Sequence, residues 1–300
     1  MGKGTKIMLI IGGIIPIAEL PLICGPVLKE GGNLLVEGHK IPCTQGTAAM
    51  VSAALAVSTH LGTEPPIAIL AGDIGSGAGS KQIYDYITRR IAALKPRVLA
   101  MHYCMPDLQR MAALCKAVKS MPEKPIMLAD AASMYAAKAA GLAHEFDIFT
   151  PDLSEIAFLA DEHAIHPAYI NEHLFESDST KIPYLVELAY RHHGAAKHLL
   201  VKGAIDHIVA NGQIIKTIKE PDLPMLECIG GTGDTITGML AAFADAELEF
   251  PQAAILSAMA NRTAGVYAKV TPASPIADLI AVLPKVLQEN LCAWSNVCSL

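Results

Sequence analysis

Gly230-Gly231-Thr232-Gly233-Asp234 runs directly into an apolar stretch, Thr235 to Ala244, with a helical pattern. Glycines let the backbone turn tightly and approach a ligand closely. The first amides of a helix lack intrahelical acceptors and favour an anion. A carboxylate beside bound phosphate makes chemical sense when it takes a proton from a hydroxyl being phosphorylated or lost. The plain alternative is a helix cap, for which Asp and Gly are both common. Asp234 is thus the candidate general base, and Gly231, Thr232 and Gly233 form the candidate phosphate-binding turn.

Other segments carry related chemistry. Gly72 to Ser80 holds glycines at alternate positions and includes Asp73, Gly75 and Gly77. Such a run can present backbone amides to an anion, so it reads as a substrate- or phosphate-facing loop. It is neither a Rossmann fingerprint nor a Walker A loop; a flexible turn is the alternative. In Thr150-Pro151-Asp152-Leu153-Ser154-Glu155, the two carboxylates share the first turn of a helix. Asp152 and Glu155 could hold magnesium through waters, or merely cap the helix. Lys202-Gly203 ends a strand, where lysine could neutralise a nucleotide phosphate or simply lie on the surface. Asp130 also follows a strand and could bind a hydroxyl or cap a helix. His163, His166 and His173 show no fixed metal-ligand spacing, and His192-His193 point to different faces of one helix. These read as surface or helix-end histidines. No GxSxG occurs, so no Ser-His-Asp arrangement can be argued.

The elements around these motifs alternate. Strands are expected at Ile67 to Ala71, Arg97 to Met101, Pro125 to Ala129 and Asp147 to Thr150. Helices are expected at Gly46 to His60, Ser80 to Leu94, Asp107 to Lys119, Ala132 to Ala140 and Leu153 to Ala160. Alternation of this kind implies βαβ units and a parallel sheet, hence a doubly wound α/β fold. Later, Tyr184 to His193 reads as a helix and His198 to Val201 as a strand. Asp206 to Ala210 and Gln213 to Ile218 flank Asn211-Gly212, a hairpin signal at one sheet edge. Helices follow at Thr235 to Ala244, Pro251 to Lys269 and Ile276 to Leu287. With no linker or repeat, residues 1–300 read as one domain. Ligands of such sheets sit at the carboxyl ends of the strands, where most of these motifs fall.

Bulk composition narrows the function classes. The 300 residues are 52% hydrophobic and 17% charged, which fits a large core and excludes disorder. A net charge of −6 without a Lys/Arg-rich run argues against nucleic acid as a partner. The seven cysteines are scattered and form no CxxC, so reduced thiols in a cytoplasmic protein are expected. Lys3 and Lys6 precede an apolar stretch, Ile7 to Leu28, that mimics a signal peptide or membrane span. Gly12, Gly13, Pro16, Glu19, Pro21, Gly25 and Pro26 interrupt it, so Ile7 to Ile11 reads as a buried first strand and no membrane partner is expected. The apolar composition leaves room for a homo-oligomer interface.

Taken together, the motifs resemble the ribokinase-like superfamily. More narrowly, the chain is similar to the ADP/ATP-dependent NAD(P)H-hydrate dehydratases, carbohydrate-kinase-like proteins that repair damaged nicotinamide cofactors. The likeness rests on Gly231-Thr232-Gly233-Asp234-Thr235-Ile236-Thr237-Gly238, on Thr150 to Glu155, and on Lys202-Gly203 before a hairpin. Gly46-Thr47-Ala48-Ala49 and the tail around Ala277-Asp278-Leu279-Ile280 add to it. The dehydratases usually carry His where Asp152 stands, and an Asp-Ala-Asp strand end of which Asp130-Ala131 remains.

The resemblance implies a three-layer fold, with ATP or ADP held near Lys202, Gly203 and the Gly231 to Gly233 turn. It implies Asp234 as general base. The residues themselves add Mg2+ at Asp152 and Glu155 and a small-molecule substrate near Gly46, Asp73, Gly75, Gly77 and Asp130, although the Gly72 to Ser80 loop matches neither family pattern well. The activity that the resemblance implies is phosphorylation of a hydrate hydroxyl followed by elimination. An ATP-dependent kinase for a sugar- or vitamin-like metabolite is the alternative. A non-catalytic nucleotide sensor on the same fold is the third reading.

Overall fold

The computed structural model describes residues 9–165 and 179–295. Ile7, His166, His173 and Cys298 therefore lie outside the described residues.

Strand β1 (Leu9–Ile15) lies inside the main sheet. It continues four residues past the expected Ile11, straight through Gly12 and Gly13. Its side chains alternate between two cores: Leu9, Ile11 and Ile15 face one, and Ile10 faces the other. Burial on both faces is why the segment reads as an unbroken apolar run. Among the described residues, no helix is long and apolar enough to cross a membrane.

After β1, the chain makes β2 (Ile23–Pro26) and then β3 (Leu28–Glu30), β4 (Asn33–Val36) and β5 (His39–Pro42). The last three form a separate antiparallel sheet that the sequence reading did not anticipate. Helix α1 (Thr47–Leu61) follows, then β6 (Ile67–Gly72), α2 (Ala78–Leu94), β7 (Val98–His102) and α3 (Leu108–Lys119). Next come β8 (Ile126–Asp130), α4 (Ala132–Ala139), β9 (Ile148–Phe149), α5 (Leu153–Ala160) and α6 (Ile182–Arg191). Strands β10 (His198–Val201), β11 (Asp206–Ala210) and β12 (Gln213–Ile218) precede α7 (Thr232–Asp245), α8 (Phe250–Ala268) and α9 (Ile276–Ser295). Helix α9 runs through Pro284 and beyond the expected end at Leu287.

The main sheet has the order β12-β11-β10-β9-β8-β7-β1-β6-β2. Pairing is parallel from β10 to β6, and antiparallel at β2 on one edge and at β11 and β12 on the other. Asn211 and Gly212 take positive φ (50° and 81°) at the β11–β12 turn, as the hairpin signal requires. Helices α1, α7, α8 and α9 cover one face, and α2 to α6 cover the other. The result is a three-layer α/β arrangement.

Small residues set the spacing that matters most for the site. The backbone of α7 at Gly238 lies so close to α1 that a Cβ there would stand 2.0 Å from the Met50 carbonyl oxygen. No side chain fits at that distance. The close crossing brings the first turns of α1 and α7 side by side at the carboxyl end of the sheet.

The thiol expectation needs one correction. Cys24, Cys43, Cys104, Cys115 and Cys228 are free, but Cys292 is disulfide-bonded.

Candidate active site

Helix α7 starts at Thr232, three residues before the expected Thr235. Gly231 is its N-cap, with φ at 105°, a left-handed conformation that glycine adopts without strain. Asp234 is therefore the third residue of the helix rather than part of the turn before it. The first intrahelical bond runs from Thr235 N–H to Gly231 O, so the Gly233 and Asp234 amides precede helical bonding.

Both oxygens of Asp234 are held from neighbouring elements. Gly46, at the start of α1, donates its N–H to Oδ2 at 2.6 Å. His102, the last residue of β7, places Nε2 3.1 Å from Oδ1. The other nitrogen of that ring, Nδ1, is 2.9 Å from Thr47 Oγ1. Burial alone would raise the Asp234 carboxyl, but His102, the Lys202 ammonium and the Gly46 amide outweigh it. The net effect holds Asp234 below the ordinary carboxylate range, so it is ionised at neutral pH.

Lys202 and Asp130 form the second half of the site. The lysine Nζ lies 2.8 Å and 2.9 Å from the two Asp130 oxygens. Thr237, one turn along α7 from Gly233, donates to Asp130 Oδ2 at 2.7 Å. The lysine is buried, so the surface alternative does not hold. Burial opposes its charge, but Asp130 and Glu155 and the bond to Asp130 keep it above the ordinary lysine range. Asp130 caps no helix: the residue before α4 is Ala131, which has no side-chain cap.

Behind Lys202, Arg262 of α8 fixes the Gly203 turn. It donates to Asp206 Oδ2 at 2.8 Å and to the carbonyls of Gly203 and Ala204 at 2.9 Å each. Removing one partner from such a buried pair leaves an uncompensated charge, at a cost of about 3–5 kcal/mol.

These groups open into a cavity of about 870 Å³, lined by Gly46, Tyr103, Asp130, Lys202 and Asp234 among others. Gly203 and Gly231 to Gly233 line it too, so the structure brings these sequence-expected residues together. An ionised carboxylate beside a lysine and open helix amides can take a proton from a hydroxyl while negative charge gathers next to it.

Two expectations are corrected. Asp73, Gly75 and Gly77 do not line the cavity. The loop amides that were to receive an anion already have one: Asp73 accepts from the N–H groups of Gly75, Gly77 and Ser80 at 3.0, 3.0 and 3.1 Å. The loop caps itself.

Asp152 and Glu155 do line the cavity, but as a reciprocal capping box. Asp152 Oδ1 accepts from Glu155 N–H, and Glu155 Oε2 accepts from Asp152 N–H, both at 2.8 Å. Tyr135 donates to Glu155 Oε1 at 2.6 Å. Burial, then the charges of Asp130 and Asp152, push the Glu155 carboxyl up to about 8, against partial relief from Lys202 and Tyr135. A neutral acid with both oxygens engaged is a poor magnesium ligand. The pair does not fit that role.

One cluster does have metal-ligand proximity. His102, Asp130 and Asp234 offer atoms within 4.8 Å of one another. These groups are already satisfied by Lys202, Thr47, Thr237 and Gly46.

His102, Tyr103 and Arg262 are site residues that sequence reasoning missed, and His102 matters most because it touches Asp234. A lone histidine has no spacing motif. Its signal is position: it ends a strand at the ligand edge, as Asp130 does. His192 sits at a helix end with Nδ1 against the Ala160 carbonyl oxygen, away from the site.

Comparison with known proteins places this geometry in a lineage. Residues 95–285 match the carbohydrate-kinase family model described as NAD(P)H-hydrate dehydratase. The chain belongs to this family. An uncharacterized protein of Methanocaldococcus jannaschii is 35% identical over 242 residues, which are 81% of this chain and 100% of that one. A bifunctional NAD(P)H-hydrate repair enzyme of Hyperthermus butylicus is 36% identical over 101 residues, 33% of this chain and 18% of that one.

Solved structures agree on architecture. An ADP complex of Bacillus subtilis pyridoxal kinase superposes with a TM-score of 0.52 at 12% identity, covering 83% of this chain and 88% of that one. A mutant of Escherichia coli phosphofructokinase-2 gives 0.54 at 13% identity, covering 93% and 99%. At such identities the likeness is one of fold, which is ribokinase-like. Within the dehydratase family, the Gly231 to Gly238 motif now has a geometry: its aspartate faces the cavity and its last glycine sets the α1–α7 contact.

Proposed function

We propose that this protein is a nucleotide-dependent NAD(P)H-hydrate dehydratase that uses ATP or ADP as phosphoryl donor. The observation that carries the reading is Asp234: an ionised, cavity-lining carboxylate in the first turn of α7, beside open amides and Lys202. The family match over residues 95–285 supports the substrate class.

In this reading the nucleotide phosphates lie against the Gly231 to Gly233 turn. Asp234 takes the proton of the hydrate hydroxyl as its oxygen attacks the terminal phosphorus. One O–P bond forms, and the terminal P–O bond of the nucleotide breaks. Lys202 and the Gly233 and Asp234 amides counter the charge that builds on the transferred group. The carbon–oxygen bond then breaks, inorganic phosphate leaves, and loss of a proton from the adjacent carbon restores the ring double bond. Gly46 would border the substrate through its place on the cavity wall. Residues 1–300 would act as one domain.

The test is incubation with NADH hydrate and either ADP or ATP, following recovery of NADH absorbance. Recovery that requires nucleotide is the expected result. Phosphate transfer to a vitamin or sugar without NADH recovery would replace this reading with the kinase. Nucleotide binding with no turnover on either panel would replace it with the sensor.

A further inference from the structure

Asp234 is not simply a buried acid near a lysine. The atoms that hold it come from two other elements, and one of them is a histidine with no solvent exposure. His102 is bonded at both ring nitrogens, to Asp234 Oδ1 on one side and to Thr47 Oγ1 on the other. The Thr47 hydroxyl makes this bond at the head of α1, next to the Gly46 amide that holds the second carboxylate oxygen. A hydroxyl can donate, and a neutral imidazole has one nitrogen that accepts. A chain of bonds from Thr47 O–H to Nδ1, and from Nε2–H to Asp234, satisfies every polar atom without burying a second cation.

We infer that His102 is the positioning residue for Asp234: Thr47 fixes its ring with hydrogen on Nε2, and that hydrogen holds Oδ1 so that the carboxylate stays turned to the cavity. This inference rests on the reading of Asp234 as the base. His102 takes no proton from substrate and acts only through the carboxylate. After Asp234 accepts a proton, the Nε2–H bond remains, and the aspartate returns its proton to solvent or to the leaving phosphate.

Other ionisable groups face this pair, and their effects are separable. Asp130 Oδ2 is 3.8 Å from His102 Nε2, and Lys202 neutralises that carboxylate at 2.8 Å. Tyr103, on the loop after β7, stacks edge-on to the His102 ring at 4.5 Å between centroids. Its phenol is pushed up to about 12 by burial and by Asp234, Asp130 and Glu155, so it is neutral at working pH. Glu155 stands further back, also neutral at pH 7. Lys202 remains the one fixed positive charge among them, and it is common to every variant used below.

Two measurements test the inference, and the first needs no substrate. Long-range proton–nitrogen spectra of protein labelled at histidine nitrogen are expected to show His102 with hydrogen on Nε2 and none on Nδ1. Any other protonation pattern overturns the assignment. In carbon-labelled protein, with the Asp234 carboxyl assigned by its loss in Asp234→Asn, His102→Leu is expected to raise the carboxyl midpoint by about one pH unit. His102→Gln, whose amide can still donate, is expected to restore it. An unshifted midpoint in a folded His102→Leu protein overturns the inference.

The second measurement is turnover. His102→Leu is expected to lower kcat about tenfold or more with little change in the KM for nucleotide, and Gln to recover most of the loss. Equal activity of the Leu variant overturns the inference. Absence of NADH recovery from the unaltered protein would count against the dehydratase reading alone, since the spectra judge His102 independently.

Discussion

Two glycine-rich turns of this chain carry an aspartate and open a helix, and they do opposite things with it. In the turn after β6, Asp73 folds back onto its own loop and accepts from three backbone amides and the Ser80 hydroxyl. The anion-binding concavity is filled from within. In the turn before α7, Asp234 points away from its own amides, toward His102 and Gly46. The Gly233 and Asp234 amides are left without an intrahelical acceptor in a turn that lines the cavity. The same residue types thus produce a closed cap in one place and an open site in the other. The deciding factor is the partner supplied by neighbouring elements. Asp73 has none outside the loop and its helix, whereas Asp234 has β7 and α1.

The sharpest way to break this contrast is to neutralise each aspartate in turn. Asp234→Asn is expected to reduce turnover more than about a hundredfold, the usual scale for an acid–base group. Nucleotide affinity should stay near that of the unaltered protein, while the amide keeps one acceptor oxygen and sets a donor against the other partner, at a cost of about 1–3 kcal/mol in thermal unfolding. Retained activity would make Asp234 a cap like Asp73, and the comparison would collapse.

Asp73→Ala is expected to do the reverse. Hydrogen bonds to a charged acceptor contribute about 1.5–3 kcal/mol each, and water replaces part of that where the loop is exposed. A loss of about 2–3 kcal/mol in denaturant unfolding is expected, with turnover within about threefold. The charge matters to the sign. Burial works against the Asp73 carboxylate, but the Ser80, Gly77 and Gly75 amides outweigh it and hold it below the ordinary range. A depressed carboxyl contributes stability that is present above the unfolded value and lost as pH falls through the folded one. The alanine variant should therefore lose its deficit in strongly acidic solution. A turnover defect as large as that of Asp234→Asn would put the Asp73 loop back into the site.

The contrast also explains what the sequence could and could not disclose. Strands β10, β11 and β12 and helix α5 were legible to the residue, because apolar runs and the Asn211-Gly212 turn mark them locally. Strands β2 to β5 were not. They are three or four residues long, β3 is wholly exposed, and the alternating burial of β2 and β4 spans too few residues to stand out. Their trace is in the turns: Gly31, Glu37 and Gly38 all take positive φ. The Gly231 turn, Asp234 and Lys202 could be picked out by type and by place after a strand. Which aspartate opens onto the cavity could not, because His102 and Gly46 lie 132 and 188 residues away from it in sequence. Local spacing cannot encode that meeting. The α1–α7 crossing at Gly238 creates it.

The smallest expected effect concerns a third acid, Glu155, which resembles Asp73 in capping a helix but differs in protonation. Its carboxyl is raised to about 8 by burial and by Asp130 and Asp152, so the folded state holds a proton that the unfolded chain releases near its ordinary value of 4.5. Between those values the folded protein binds more protons, so stability falls as pH rises. A decline on the order of 1–2 kcal/mol from pH 6 to 8 is expected in denaturant unfolding. Glu155→Gln keeps the neutral shape and removes the ionisation, and should flatten that slope while leaving stability at pH 5 nearly unchanged. The comparison gains a third case if so: a cap can be closed by charge, as at Asp73, or by an uncharged acid beside a charged one, as here. A slope that survives in the Gln variant would place the titrating group elsewhere. Glu155 would then be an ordinary ionised carboxylate facing the cavity, able to hold a cation together with Asp152.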